Sequence, residues 1–113
     1  MQGHKRVQRS RPDGYQSEAG IIEGVAHVIH DPATETLRPG EILIAPFTDP
    51  GWTPLFINAA GLVMDIGGAL AHGSVVAREY GIPAVVGVRG STEKINTGQR
   101  VRVDGNRGII EIL

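Results

Sequence analysis

The chain contains no cysteine, which removes disulfides, thiolate nucleophiles and cysteine-bound metals in one step. It also lacks a charge imbalance. Lys and Arg number 11 against 12 Asp and Glu, a formal net charge of -1, so nothing electrostatic favours nucleic acid or an anionic membrane. No apolar run approaches the length of a membrane-crossing helix and the N-terminus has no signal-peptide core, so a cytoplasmic location is the default expectation. P-loop and dinucleotide fingerprints are missing, as are internal repeats and low-complexity tracts.

What is present fits one domain. At 113 residues, 41% hydrophobic and 20% charged, the chain can bury about two thirds of its unfolded surface. It is too short to hold a nucleotide-binding domain and an acceptor domain beside its own core. Residues 1–18 carry Lys5, Arg6, Arg9 and Arg11, few apolar residues and a Pro12-Asp13-Gly14 turn. They are expected to form a flexible basic arm or linker, leaving 19–113 as the folded domain.

Within that domain, Gly20 to His30 is a β-branched run interrupted by Gly24, expected as a strand with a bulge or a close approach at the glycine. His27 and His30, three apart, fall on opposite faces of such a strand, a spacing that argues against a shared metal ion. Glu41 to Pro46 reads as the next strand. A helix is expected to follow and run towards Ala60, with Thr48 or Asp49 as its cap, Pro50 early in it and Gly61 closing it. Leu62 to Ile66 reads as a strand covered on both faces, broken only by Asp65. Asp65 is expected to bond the amides of the loop that follows, or to orient His72.

Gly67 to Gly87 is the stretch that carries chemistry. Gly67-Gly68 allows a sharp turn and a close approach to a ligand. His72 falls in the first turn of a helix that ends at Gly81, with Pro83 just beyond. His72, Val75, Val76, Glu79 and Tyr80 share one face by spacing and are expected to form the buried stripe, with His72 at its edge. Ala84 to Val88 is a second buried strand, so strand, helix and strand make a right-handed parallel βαβ unit. Ligands bind such sheets beyond the carboxyl ends of the strands, where the Gly67-Gly68 loop lies. A neutral imidazole is a nucleophile, and the unpaired amides of a helix N-terminus favour an arriving anion. His72 can therefore take a phosphoryl group, with Arg78 or Arg89 stabilising the product. Ser91 to Ile95 reads as one more helical turn, and Gln99 to Leu113 as a hairpin turning at Asp104-Gly105.

These residues resemble the phosphohistidine signature of the phosphoenolpyruvate-utilising enzymes, which include phosphoenolpyruvate synthase, pyruvate phosphate dikinase, enzyme I of the sugar phosphotransferase system and the rifamycin phosphotransferases. The matching positions are Gly67 and Gly68, His72, Ala77-Arg78-Glu79 and Gly81-Ile82-Pro83-Ala84-Val85. Upstream, Thr48-Asp49-Pro50 followed by Trp52 also resembles the family, as does Val103-Asp104-Gly105 near the end. Leu70 and Gly73 depart from the commoner pattern of Thr or Ser before the histidine and Ala after it; this pairing resembles the rifamycin phosphotransferase branch.

The resemblance implies an α/β fold of three layers, the swivelling β/β/α domain, with a mainly parallel central sheet and a smaller antiparallel one. It implies that His72 is the catalytic phosphoryl carrier, supported by Gly67, Gly68, Gly73, Ser74, Arg78 and Thr48. No cofactor or metal is expected on this domain. Mg2+ and ATP or phosphoenolpyruvate are expected on nucleotide-binding and acceptor-binding partner domains, in cis or in trans. The departures at Leu70 and Gly73 leave an alternative open: a non-catalytic swivelling or regulatory module that has lost phosphotransfer.

Overall fold

The computed structural model describes residues 5–9, 16–18, 20–66 and 72–113. Its elements in chain order are β1 (Lys5–Arg9), β2 (Gln16–Glu18), β3 (Ile21–Val28), β4 (Ile42–Ala45), a 3-10 turn (Pro50–Trp52), α1 (Thr53–Phe56), β5 (Gly61–Met64), α2 (His72–Tyr80), β6 (Ala84–Val86), α3 (Ser91–Lys94), β7 (Arg100–Asp104) and β8 (Ile109–Ile112). The strands pair in the order β1-β8-β7-β3-β4-β5-β6-β2. β3, β4, β5 and β6 run parallel to one another, while β7 pairs antiparallel with β3 and β8, and β2 antiparallel with β6.

The layering follows from side-chain alternation in register. Across the parallel strands, Leu43 stands beside Leu62 and Leu62 beside Ala84. Two residues on, past an intervening row of Ile44, Val63 and Val85, Ala45 pairs with Met64, and Met64 with Val86. Successive residues of a strand point to opposite faces. Leu43, Ala45, Leu62, Met64, Ala84 and Val86 accordingly pack with Trp52, Leu55, Phe56, Val76 and Ala77 of the helical layer. Ile42, Ile44, Val63 and Val85 pack on the other face with Val101, Val103 and Ile110 of the antiparallel hairpin. Each fully buried Leu or Ile here contributes roughly 1.5–3 kcal/mol relative to exposure. The result is the three-layer α/β architecture, parallel sheet in the middle.

β3 belongs to both sheets. Its first half, Ile21 to Val25, pairs antiparallel with Asp104 to Arg100, and its second half, Ala26 to Val28, pairs parallel with Ile42 to Ile44. Gly24 sits at the changeover, where a Cβ would stand 2.9 Å from the Gly40 carbonyl oxygen. The register through Gly24 is unbroken, so the glycine serves close approach and makes no bulge.

Four expectations are corrected. Two stretches of the segment read as a flexible arm are strands: β1 pairs with β8 and β2 with β6. Gly61 does not close a helix but opens β5, where the Ile22 Cγ2 would lie 2.9 Å from any Cβ. The helix read as running towards Ala60 is instead a 3-10 turn followed by the four residues of α1. The buried stripe of α2 is Gly73, Ser74, Val76 and Ala77, while Val75, Glu79 and Tyr80 are exposed. Small residues let the helix lie close on the sheet, so bulk was the wrong guide to the face. The end of α2 is as read. Gly81 adopts φ +70, its amide bonds the Arg78 carbonyl at 3.3 Å and that of Ile82 bonds Ala77 at 3.0 Å, the double bond of a Schellman cap.

Candidate phosphoryl-acceptor site

β4 and β5 are parallel neighbours, so their carboxyl ends lie side by side and the segments leaving them start together. The Asp65 amide bonds the Ala45 carbonyl at 3.1 Å and the Ile66 amide bonds Pro46 at 3.0 Å. Beyond β4, Asp49 caps the 3-10 turn, its carboxylate accepting from the Gly51 amide at 2.8 Å. Pro50 takes the first position, where a missing amide costs nothing. Because Asp49 does the capping, the Thr48 hydroxyl is left for another partner.

That partner is His72. Thr48 Oγ1 lies 3.2 Å from Nδ1 of His72 and 3.6 Å from the Met64 sulfur. Phe56 meets the imidazole edge to face, with ring centroids 6.0 Å apart and planes at 66°. The ring is half-buried. It is thus held on one nitrogen and one edge at the sheet end where Phe47 and Ile66 are exposed.

Gly73 explains how these groups come together. A Cβ there would stand 2.6 Å from Met64 Cε, 2.7 Å from its sulfur and 2.8 Å from Thr48 Oγ1. The absent side chain is the space in which Met64 and Thr48 meet below His72. A glycine in a helix costs about 1 kcal/mol relative to alanine, and here the close packing offsets it. Gly73 is therefore a fitted position, which weakens its use as a mark of lost function.

The other candidates divide. Ser74 is wholly buried in α2, behind the surface on which His72 opens. Arg78 lies in the last turn of the helix, about 9 Å along the axis from His72 at 1.5 Å per residue. Arg89 is exposed in the turn after β6. Gly67, Gly68 and Leu70 lie outside the described residues.

The loop whose amides Asp65 is expected to bond lies outside the described residues. The Asp65 carboxylate accepts from the Ser91 hydroxyl, from the Thr92 amide at 3.0 Å and from the Thr92 hydroxyl at 2.7 Å. It thereby ties the end of β5 to α3. His27 likewise has an unforeseen role: Nδ1 lies 2.9 Å from Glu41 Oε1 and Nε2 3.0 Å from Glu35 Oε1. Burial pulls its pKa down, but hydrogen bonds to Glu41 and Glu35 and their negative charge outweigh this and raise it above the ordinary imidazole value. For Glu41 burial pushes up, and bonds from His27 and the Arg38 amide prevail and lower it. Met64 and Phe56 were not foreseen as neighbours of His72; the signal that could have found Met64 was Gly73, a costly residue beside the histidine.

The three-layer fold thus presents a half-buried histidine at the carboxyl ends of its parallel strands. The family model for the mobile domain of PEP-utilising enzymes matches residues 37–108, and the chain belongs to that family. Over 100 residues it is 52% identical to a rifampicin phosphotransferase of Bacillus cereus, covering 88% of this chain and 12% of that protein. It is 43% identical over 100 residues to a probable phosphoenolpyruvate synthase of Staphylothermus marinus, covering 86% of this chain and 12% of the relative. The solution structure of an Enzyme I protein superposes with a TM-score of 0.58 at 34% identity, over 66% of this chain and 31% of that one. The chain thus spans about an eighth of the length of these two curated relatives.

Proposed function

We propose that this chain is the phosphoryl-carrying domain of a multidomain phosphotransferase, with His72 as the acceptor. The carrying observation is the contact of Thr48 Oγ1 with Nδ1 of His72 at 3.2 Å. It occupies one ring nitrogen and leaves Nε2 to react. In the neutral ring with its proton on Nδ1, the Nε2 lone pair attacks the phosphorus of the donor, the P–O bond to the leaving group breaks, and a phosphoimidazolium forms. The proton stays on Nδ1, which donates it in a hydrogen bond to Thr48 Oγ1. On onward transfer the N–P bond breaks, its electron pair returns to Nε2, and the starting tautomer is restored. One hydrogen bond serves both directions.

Thr48 and Phe56 against His72 offer one hydroxyl and one aromatic edge, a poor set for a divalent cation, which prefers several oxygen ligands. Mg2+ and the donor, ATP or phosphoenolpyruvate, are assigned to partner domains in the cytoplasm; bound there, the metal supplies charge neutralisation at the transferring phosphoryl group. The rim of Phe47 and Ile66 gives such partners an apolar surface beside the histidine. Gly67, Gly68, Ser74 and Arg78 complete the proposed support, Gly73 through packing and Arg78 only when a partner brings the phosphoryl group towards it.

The test is phosphate labelling. Wild type and His72→Ala are incubated with Mg2+, labelled ATP or labelled phosphoenolpyruvate, and lysate of the producing organism. Acid-labile, alkali-stable label on the wild type and none on the folded variant is the expected result. Equal labelling of both would refute the assignment.

A further inference from the structure

We infer that His27 is a pH-operated latch on the connection between β3 and β4: the charged ring pins that connection at Glu35, and the neutral ring releases Glu35 while keeping Glu41. The contacts themselves require a charged ring. Nδ1 lies 2.9 Å from Glu41 Oε1 and Nε2 lies 3.0 Å from Glu35 Oε1. An ionised carboxylate only accepts hydrogen bonds and a neutral imidazole has one N–H to give, so both contacts are hydrogen bonds only in the imidazolium. Burial opposes the charge, but the two bonds and the two negative charges prevail. Loss of the proton sets a ring lone pair against one of the carboxylates.

Which carboxylate leaves depends on what else holds it. Glu41 Oε1 also accepts from the Arg38 amide at 2.9 Å, its side chain is 17% exposed, and the Arg38 charge acts on it as well. Glu35 is 43% exposed, and among the described residues its carboxylate has no partner besides His27. On the β7 side the backbone beside His27 meets neutral groups, the Gln99 carbonyl at the Ala26 amide and the Thr97 hydroxyl at the Val28 amide. The neutral ring therefore keeps its proton on Nδ1 for Glu41, and Glu35 turns to water. The freed stretch is short. Before it, Asp31 closes a turn, its carbonyl accepting from the Thr34 amide and hydroxyl and its carboxylate from the Ala33 amide. After it, Leu37 is buried and its carbonyl accepts from the Asn58 side chain at 2.8 Å. Glu35 and Thr36 lie between these two anchors.

The latch is independent of the phosphoryl-carrier reading. By linkage, the charged ring holds Glu35 more tightly by the same factor as Glu35 raises the proton affinity of the ring. The experiment is NMR of the whole chain from about pH 5 to 9, following the His27 ring nitrogens and the relaxation of the Thr36 methyl, with the backbone amide spectrum as the check on folding. In the wild type both ring nitrogens are expected to carry protons at the acid end, where the Thr36 methyl is ordered. The methyl should then gain mobility with the midpoint at which the ring loses its proton. Glu35→Gln should lower the proton affinity of the ring about two- to fivefold, the worth of a half-exposed ion pair. A glutamine amide accepts from Nε2–H or, turned over, donates to the bare nitrogen, so in that variant Thr36 should stay ordered at both ends of the range. His27→Gln should remove the pH dependence of the methyl altogether. A Thr36 methyl indifferent to the titration of the ring, or one that loosens equally in Glu35→Gln, would overturn the inference.

Discussion

Gly73→Ala sets two simple arguments against each other. Helix propensity alone says that alanine should stabilise α2 by up to about 1 kcal/mol. The packing says the reverse, because the new methyl would sit 2.6 to 2.8 Å from three heavy atoms of Met64 and Thr48, roughly 1 Å inside ordinary contact distance. Met64 is flexible, but it is 1% exposed and cannot swing its end into solvent. Thr48 can move only by leaving His72. Overpacking costs about 1–3 kcal/mol, and with three heavy atoms inside 3.0 Å the upper part of that range, about 2–3 kcal/mol, applies, so the net destabilisation should be about 1–2 kcal/mol after the propensity gain. For a domain of this size that lowers Tm by roughly 4–10 °C. Thermal unfolding followed by circular dichroism measures it, and Met64→Val in the same chain should recover part of the loss. A Gly73→Ala protein that melts at or above the wild-type temperature would refute the close approach on which the site geometry depends.

The His27 clasp makes a pH-dependent contribution. His27 is raised above its unfolded value, so its stabilisation is complete below that value and fades as pH rises through the raised folded pKa. Glu41 is lowered, so its share is present above its unfolded value and fades as pH falls through the lowered one. The Tm difference between wild type and His27→Gln should therefore be largest in mildly acid solution, at about 1 kcal/mol, and shrink towards alkaline pH; a flat difference would show that the carboxylates do not hold the ring. Asp65→Ala strands the wholly buried Ser91 hydroxyl and should cost about 2 kcal/mol, read as a lower urea midpoint with an unchanged slope. His72→Ala, by contrast, removes a half-buried ring and should keep the fold while losing the label.

Much of the architecture was legible because the informative patterns are local. Leu62 to Met64 and Ala84 to Val86 are apolar on both sides, which only a covered strand needs, and Gly81 with Pro83 marks a helix end at any tertiary address. Thr48, Asp49 and Pro50 were correctly suspected, yet which of Thr48 and Asp49 would cap depended on where α2 returns. The face of α2 was misread because Val75 and Tyr80 advertise hydrophobicity, whereas Gly73 and Ala77 fit the sheet. Asp65 found Ser91 and Thr92, and His27 found Glu35 and Glu41. Those partners lie 8 to 27 residues away in sequence and are chosen by strand register, which no local pattern encodes.

The double membership of β3 governs when this domain can fold. Glu23 pairs with Arg102, so the second strand of its ladder is synthesised long after the first. Until β7 and β8 leave the ribosome, Ile42, Ile44, Val63 and Val85 have a bare face. At roughly 5–20 residues per second, the stretch from β6 to β8 takes on the order of a few seconds to make. During that interval the nascent parallel sheet is an open, sticky half-structure, and chaperone dependence should concentrate there. Mutations in the closing hairpin would then lower yield in the cell more than they lower the melting temperature of whatever protein survives.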